Sequence, residues 1–172
     1  MTLTAAETHR VSAREERMTK IARCSCGSLR TEVSGDPIRV IACHCDECQR
    51  RTGSVLGVGA YYNKEQVQIA GPNKVFVRGA PEGRTVRTHF CPECGTSLFW
   101  EADIAPGITG VAVGGFVDPG FPSPSISFFE KWKHAWWDLT MSLSTFRNDL
   151  PIRCGRRRTR SRMMFIHPSE TV

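Results

Sequence analysis

Cys43-His44-Cys45-Asp46-Glu47-Cys48 places three cysteines within six residues, and a further pair lies on each side of this cluster along the chain. The flanking pairs are Cys24-Ser25-Cys26 and Cys91-Pro92-Glu93-Cys94. Thiolates at such short spacings converge on one metal ion, because the turn between them points both sulfurs inward. Gly95 follows the last pair and readily adopts the positive φ that such a turn needs. Seven of the eight cysteines therefore indicate metal sites, and Cys154 lies alone.

Disulfides, scattered thiols and iron–sulfur clusters are the alternatives to zinc for these cysteines. A disulfide framework is typical of secreted mini-proteins, but the first twenty residues are rich in charge and contain no apolar block typical of a signal peptide. Thiols scattered at random seldom form three such clusters, and iron–sulfur clusters usually take four cysteines each, which seven cannot supply twice. We therefore favour zinc and expect a reducing, cytoplasmic location.

Seven cysteines divide into a set of four and a set of three, and the two sets differ in chemistry. Four thiolates close a structural zinc site, whereas three leave one ligand position open to water, a carbonyl oxygen or a thiolate. We expect the structural zinc on the first and last pairs: Cys24, Cys26, Cys91 and Cys94. We expect the second, reactive zinc on the middle cluster: Cys43, Cys45 and Cys48.

Length and apolar patterning predict one all-β domain. The 172 residues suit a single globular unit. From about residue 20 to 130 the apolar segments are short, rich in Val, Ile, Phe and Tyr, and separated by Gly, Pro, Asn or Asp. The predicted strands are Leu29–Val33, Ile38–Cys43, Val55–Tyr62, Gln66–Ile69, Lys74–Val77, Thr85–Phe90, Ser97–Trp100, Thr109–Val113 and Ser125–Phe129. Short helical turns are predicted at Asp46–Arg51 and Leu139–Phe146.

The net charge of +6 is concentrated in the C-terminal tail, where residues 151–172 carry six arginines against Glu170. Residues 1–17 are polar and balanced in charge, and residues 18–150 are nearly neutral. We therefore predict a disordered leader over 1–17, a zinc domain over 18–150 and a basic tail over 151–172. The charge distribution confines any nucleic-acid binding to the tail, and no apolar segment is long enough to cross a membrane. The sequence carries no signal for an oligomeric state.

The cysteine motifs and their neighbours resemble those of the glutathione-dependent formaldehyde-activating enzyme family, whose domain is shared with centromere protein V. The resemblance rests on four segments: Cys24–Leu29, Cys43–Ser54, Phe90–Phe99 and Phe129–Trp136. It implies a zinc-stapled β-tent fold, a structural zinc on the set of four cysteines and a catalytic zinc on the set of three. Two departures are Gln49, where arginine is frequent, and Ala135, where proline is frequent.

The resemblance also implies the activity of an S-(hydroxymethyl)glutathione synthase, a carbon–sulfur lyase that joins or splits glutathione and formaldehyde. Zinc stabilises a bound thiolate, which then attacks the aldehyde carbon. Two alternatives stay open at this point. One is a zinc-stabilised binding module without chemistry, and the other is a nucleic-acid binder that acts through the basic tail.

Arg50 and Arg51 follow the middle cluster directly and are candidate glutathione-binding residues. A guanidinium pairs bidentately with a carboxylate such as either end of glutathione. The alternative is a solvated pair, since three thiolates on Zn²⁺ leave a net charge of −1 that attracts cations.

His44 lies between two predicted ligands, so its side chain is expected to point away from the metal and to play a structural role. Several aromatic residues near the end of the domain are expected to pack over the β core, with a ligand pocket as the alternative. They are Phe128, Phe129, Trp132, Trp136 and Trp137.

Overall fold

Residues 19–137, the part of the chain that a computed structural model describes, contain ten strands, one short α-helix and four single-turn 3-10 helices, at Lys64–Gln66, Pro81–Gly83, Val113–Gly115 and Glu130–Trp132. The helix α1 spans Asp46–Thr52. The strands are β1 (Thr19–Arg23), β2 (Arg30–Ser34), β3 (Arg39–Cys43), β4 (Gly57–Asn63), β5 (Val67–Ala70), β6 (Lys74–Gly79), β7 (Thr85–Phe90), β8 (Ser97–Ala102), β9 (Ile108–Ala112) and β10 (Ile126–Phe128). The predicted leader, the helical turn Leu139–Phe146 and the basic tail lie outside the described residues.

The strands form two sheets. A three-stranded antiparallel sheet has the order β1-β2-β5, and a seven-stranded sheet has the order β10-β3-β4-β9-β8-β7-β6. Within the large sheet only the pairing of β10 with β3 is parallel, and it sets Phe128 beside Cys43. The prediction of an all-β domain is confirmed. None of the described helices is long and apolar enough to cross a membrane.

The core draws its buried side chains from both sheets. Ala22 of β1 and Val33 of β2 are fully buried together with Tyr62, Phe99 and Val111 of the large sheet. Burying an apolar side chain of this size contributes about 1.5–3 kcal/mol relative to leaving it exposed. Two cysteines, Cys24 and Cys91, belong to the same cluster of buried residues. The set of four cysteines is therefore anchored in the core.

The predicted strands all exist, with ends displaced by one or two residues, but β1 was not among them. Burial alternates along Thr19–Arg23, but the inward positions are Lys20 and Ala22 and the apolar Ile21 is exposed, so the sequence itself lacks the apolar alternation that marks a strand. Pairing with β2 stabilises it, from Thr19 opposite Ser34 to Arg23 opposite Arg30. The predicted helical turn after the middle cluster is confirmed as α1.

Candidate metal centres

The four sulfurs of Cys24, Cys26, Cys91 and Cys94 lie within 4.8 Å of one another. The Sγ atoms of Cys24 and Cys26 are 3.5 Å apart, and those of Cys26 and Cys91 are 3.6 Å apart. A disulfide needs about 2.0 Å between its sulfurs, whereas a tetrahedral zinc site with bonds of about 2.3 Å separates its sulfurs by about 3.8 Å. The spacing therefore fits a metal ion and does not fit disulfides.

Two glycine turns shape the four-cysteine cluster. Gly27 has φ +81° and donates its N–H to the carbonyl of Cys24 at 3.0 Å. Gly95 has φ +74° and donates in the same way to Cys91 at 2.9 Å. Both conformations lie in the left-handed region, which glycine adopts without strain. The backbone N–H of Leu29 also donates to Cys24 Sγ at 3.2 Å, a contact that stabilises a thiolate.

Burial divides the four-cysteine cluster into an inner and an outer half. Cys24 and Cys91 are buried, and Cys26 and Cys94 are exposed. Burial raises the pKa of the Cys91 thiol to about 12. A cation at the centre of the cluster would stabilise the buried thiolate, so the chemistry of this donor set fits a zinc ion.

The three sulfurs of Cys43, Cys45 and Cys48 also lie within 4.8 Å of one another. Cys43 ends β3, Cys45 is the N-cap of α1, and Cys48 lies in the first turn of the helix. The N–H of Cys48 donates to Cys45 Sγ at 3.4 Å, so the helix cap itself brings these ligands together. All three side chains are only partly buried. The cluster can hold one metal ion and leaves a side open to solvent.

Electrostatics distinguish Cys48 from its two neighbours. A hydrogen bond from Cys43 and the nearby Arg51 guanidinium lower the pKa of the Cys48 thiol to about 6. The pKa of Cys43 is raised, first by its hydrogen bond to Cys48 and then by burial. The protein therefore favours one thiolate at Cys48 in the absence of metal. The first metal ligand is thus already charged near neutral pH.

Arg51 lies over the indole of Trp100. Its guanidinium carbon is 4.3 Å from the centre of the ring, a cation–π contact. Tyr61 meets the same indole edge-on, with ring centres 5.9 Å apart. Trp100 is buried. It belongs to β8 of the large sheet and lies opposite Gly110 of the neighbouring strand β9.

A family model described as glutathione-dependent formaldehyde-activating enzyme matches residues 19–132, which is more than half of the chain and includes both cysteine clusters. The chain belongs to this family. The match begins with β1 and ends just after the short helical turn Glu130–Trp132. It leaves residues 1–18 and 133–172 outside the family domain.

Individual relatives are more distant. A protein of Fusarium vanettenii, provisionally named as a glutathione-dependent formaldehyde-activating enzyme, is 31% identical over 80 residues. This alignment covers 45% of the chain and 42% of that protein, so the chain spans less than half the length of this curated relative. A crystal structure of a Rhodobacter sphaeroides protein is similar at a TM-score of 0.48 and 18% identity, covering 63% of this chain and 99% of that one.

The two arginines that follow the middle cluster of this family member point to different partners. Arg50 contacts Asp46 at 2.9 Å and Glu47 at 3.0 Å along the helix surface, with 69% of its side chain exposed. Arg51 instead turns towards Trp100 and Cys48. The structure therefore brings one of the two candidate glutathione-binding residues to the three-cysteine cluster and holds the other in ion pairs.

His44 and Gln49 join α1 to the last described segment. His44 is buried, its N–H donates to the carbonyl of Phe128 at 3.0 Å, and its Nε2 lies 3.9 Å from Glu130. Gln49 donates to the carbonyl of His44 at 2.7 Å and is 3.0 Å from His134 Nε2. These contacts agree with a structural role for His44. Sequence reasoning missed Gln49, whose only signal was its departure from the family pattern.

Four of the late aromatic residues are exposed, so the expectation that they pack over the core is wrong for them. Their exposed fractions are 46% for Phe128, 54% for Phe129, 50% for Trp132 and 58% for Trp136. The core between the sheets is filled by different side chains. The four aromatic residues lie on β10 or shortly after it. β10 is an edge strand of the large sheet, and it pairs with β3 so that Phe128 lies opposite Cys43.

Proposed function

We propose that the chain is a zinc-dependent carbon–sulfur lyase that joins or splits a thiol, glutathione, and a small aldehyde such as formaldehyde. The observation that carries this proposal is the convergence of Cys43, Cys45 and Cys48, three sulfurs within 4.8 Å that are only partly buried. Three ligands leave a position for a substrate, whereas four would close the site. Family membership and the name of the Fusarium relative support the same assignment.

The proposed reaction adds a thiol to a carbonyl group. The thiolate sulfur attacks the aldehyde carbon, a carbon–sulfur bond forms, and the carbonyl oxygen takes up the proton that the thiol lost. A zinc ion on the three cysteines would supply Lewis-acid chemistry that keeps the substrate sulfur deprotonated. Arg51 would bind a glutathione carboxylate. Arg50 is the second proposed contact, and it would first have to leave Asp46 and Glu47.

The four-cysteine cluster is proposed as the structural zinc site, so the folded chain would hold two zinc ions. Elemental analysis of untagged protein after gentle purification measures this directly. Two zinc ions per chain are expected, and one tightly held ion would mean that the open site loses its metal more readily. Iron with a visible charge-transfer band, or less than one zinc per chain, would contradict the division into four and three.

The catalytic proposal is tested by exchange NMR with ¹³C-formaldehyde and glutathione, because the adduct also forms slowly without an enzyme. The zinc-loaded chain should accelerate exchange between hydrated formaldehyde and the adduct. Cys48→Ser should reduce the rate to background, and Cys154→Ser, which removes the cysteine outside both clusters, should leave it unchanged. Wild-type protein that binds glutathione without accelerating exchange for any aldehyde tried would be a binding module.

A small cavity on the described surface lies away from both cysteine clusters, so it does not favour the binding-module alternative over the lyase. A cavity of about 170 Å³ is lined by Lys64, Arg87, Glu101 and Pro106, among others, and by none of the seven clustered cysteines. Enclosed pockets for small ligands usually measure about 300–1,000 Å³. Nucleic-acid binding through the basic tail stays a separate prediction. Deleting residues 151–172 should remove any salt-sensitive nucleic-acid binding and leave adduct exchange unchanged.

A further inference from the structure

Three glycines leave a gap between the side chains on one face of the large sheet. Gly57 and Gly59 lie on β4, and Gly110 lies on β9. A Cβ atom added at Gly59 would lie 2.6 Å from the Trp100 ring, and one added at Gly110 would lie 2.4 Å from it. Both distances are far below van der Waals contact. The indole of Trp100 therefore lies directly against the backbone of two strands, in a position that only glycine permits.

The third glycine shows how Trp100 is related to the three-cysteine cluster. A Cβ atom added at Gly57 would lie 2.8 Å from Nη2 of Arg51 and 3.3 Å from Cβ of Cys48. The guanidinium and the cysteine thus share the space above this glycine. The same guanidinium stacks on Trp100, with 4.3 Å between its carbon and the centre of the ring. Trp100 therefore contacts the glycine backbone on one side and Arg51 on the other, and Arg51 in turn lies beside Cys48.

Within residues 19–137 the Arg51 guanidinium contacts the Cys48 thiol but no carboxylate. Among the described residues no carboxylate lies within 4.0 Å of its guanidinium, whereas Arg50 contacts Asp46 and Glu47. Its contacts are an aromatic face and a cysteine cluster. A fixed guanidinium that keeps further donors beyond its contact with Cys48 is suited to bidentate binding of a carboxylate.

We propose that Trp100 is a positioning residue, which holds the Arg51 guanidinium beside the three-cysteine cluster so that the site selects thiols that carry a carboxylate over uncharged thiols. The stack orders a long, flexible side chain before the substrate arrives, which removes the entropy cost of ordering it on binding. The preference for thiols that carry a carboxylate rests on the proposed function, whereas the positioning of Arg51 by Trp100 is independent of that function.

Binding of two thiols to the zinc-loaded full chain tests the selection. Isothermal titration would compare glutathione with 2-mercaptoethanol for wild type, Trp100→Leu, Trp100→Phe and Arg51→Ala. We expect Trp100→Leu and Arg51→Ala each to weaken glutathione binding about tenfold and to leave 2-mercaptoethanol unchanged. The double variant should bind glutathione no more weakly than either single variant, because both substitutions remove the same contact. Trp100→Phe, which keeps an aromatic face, should recover most of the affinity.

Two results of the titration would overturn the proposal. Equal weakening of both thiols by Trp100→Leu would show a merely structural role, and additive losses in the double variant would show that Trp100 does not act through Arg51. If Trp100→Leu does not fold, Arg51→Lys replaces it. Lysine keeps the charge and loses the planar stack, so it should lose the preference for glutathione in the same way.

An NMR measurement decides the positioning without any thiol. A guanidinium stacked on an indole has side-chain resonances displaced by the ring current, so the Arg51 Nε–H signal should move towards its random-coil position in Trp100→Leu. An unchanged signal would overturn the proposal. If wild type binds neither thiol, the proposed function fails and the claim of selection fails with it, while the NMR result still decides whether Trp100 positions Arg51.

Discussion

Ser25 and Thr96 contact each other across 71 residues of sequence. The N–H of Ser25 donates to the Thr96 hydroxyl at 3.2 Å, and the two hydroxyl groups are 3.0 Å apart. Each residue belongs to one of the two glycine turns that carry the four-cysteine cluster. The two turns are therefore joined by protein hydrogen bonds as well as by the geometry of their sulfurs, which identifies this cluster as the link between distant parts of the domain.

Removing one cysteine from the four-cysteine cluster should unfold the domain. Cys94→Ser takes away an exposed sulfur whose three partners lie within 4.8 Å. Structural zinc contributes about 10–16 kcal/mol in small zinc domains, and a whole domain is stable by only about 5–15 kcal/mol. We expect loss of the cooperative melting transition or insoluble protein, measured by circular dichroism. Cys154→Ser is the control, and a Cys94 variant that melts like wild type would contradict the structural assignment.

Removing a ligand from the middle cluster should have the opposite effect. Cys43 and Cys48 lie within six residues of each other, so a metal ion bound between them would close a very short loop and add little to folding. Cys48→Ser should lower the zinc content towards one ion per chain, change the melting temperature by no more than a few degrees and reduce adduct exchange to the uncatalysed rate. A variant that unfolds would reverse the roles of the two clusters.

Adding a methyl group beneath Trp100 should be costly. Gly59→Ala and Gly110→Ala each place a Cβ within 2.6 Å of a rigid indole, and overpacking of this kind costs about 1–3 kcal/mol. Gly79→Ala on β6 is the matched control, since nothing lies within 4 Å of its added Cβ. Urea unfolding of the three variants measures the difference. Equal stability of all three would show that Trp100 does not lie against these strands.

Asp103 should stabilise the fold by a constant amount over most of the accessible pH range. Hydrogen bonds from Arg87 and Thr85 lower its pKa to about 2. A carboxyl with a lowered pKa stabilises the folded state above its unfolded pKa, and this contribution is lost as the pH falls through the folded pKa. The stability difference between wild type and Asp103→Asn should thus stay level from about pH 8 to 5 and shrink only below about pH 4.

Denaturant unfolding of both proteins at several pH values measures this difference. Measurements above about pH 5 come first, because the cysteine ligands of a bound zinc ion must stay deprotonated. A difference that also stays level below about pH 4 would mean that the pKa of Asp103 is not lowered.

The local features of the fold and the grouping of Cys24 and Cys26 with Cys91 and Cys94 could be predicted from the sequence, but the long-range packing of other side chains could not. Strand alternation and the spacing of the cysteines are read within a few residues, and both predictions agree with the described structure. The stack of Arg51 on Trp100 joins residues 49 positions apart, and nothing in either segment specifies the pairing. The predicted burial of the late aromatic residues was wrong because hydrophobicity alone does not say which residues fill the core. Phe99 is buried there, and Phe129 is exposed.

The two cysteine clusters also differ in when they can be assembled during synthesis of the chain. All three sulfurs of the middle cluster exist once Cys48 has left the ribosome. The four-cysteine cluster remains a half-site until Cys94 has been added, after β2 to β7 have been made. Because a chain folds as it emerges from the N-terminal end, the three-cysteine cluster could capture a metal ion early. A metal crosslink through the four-cysteine cluster could form only when about half of the chain has been translated.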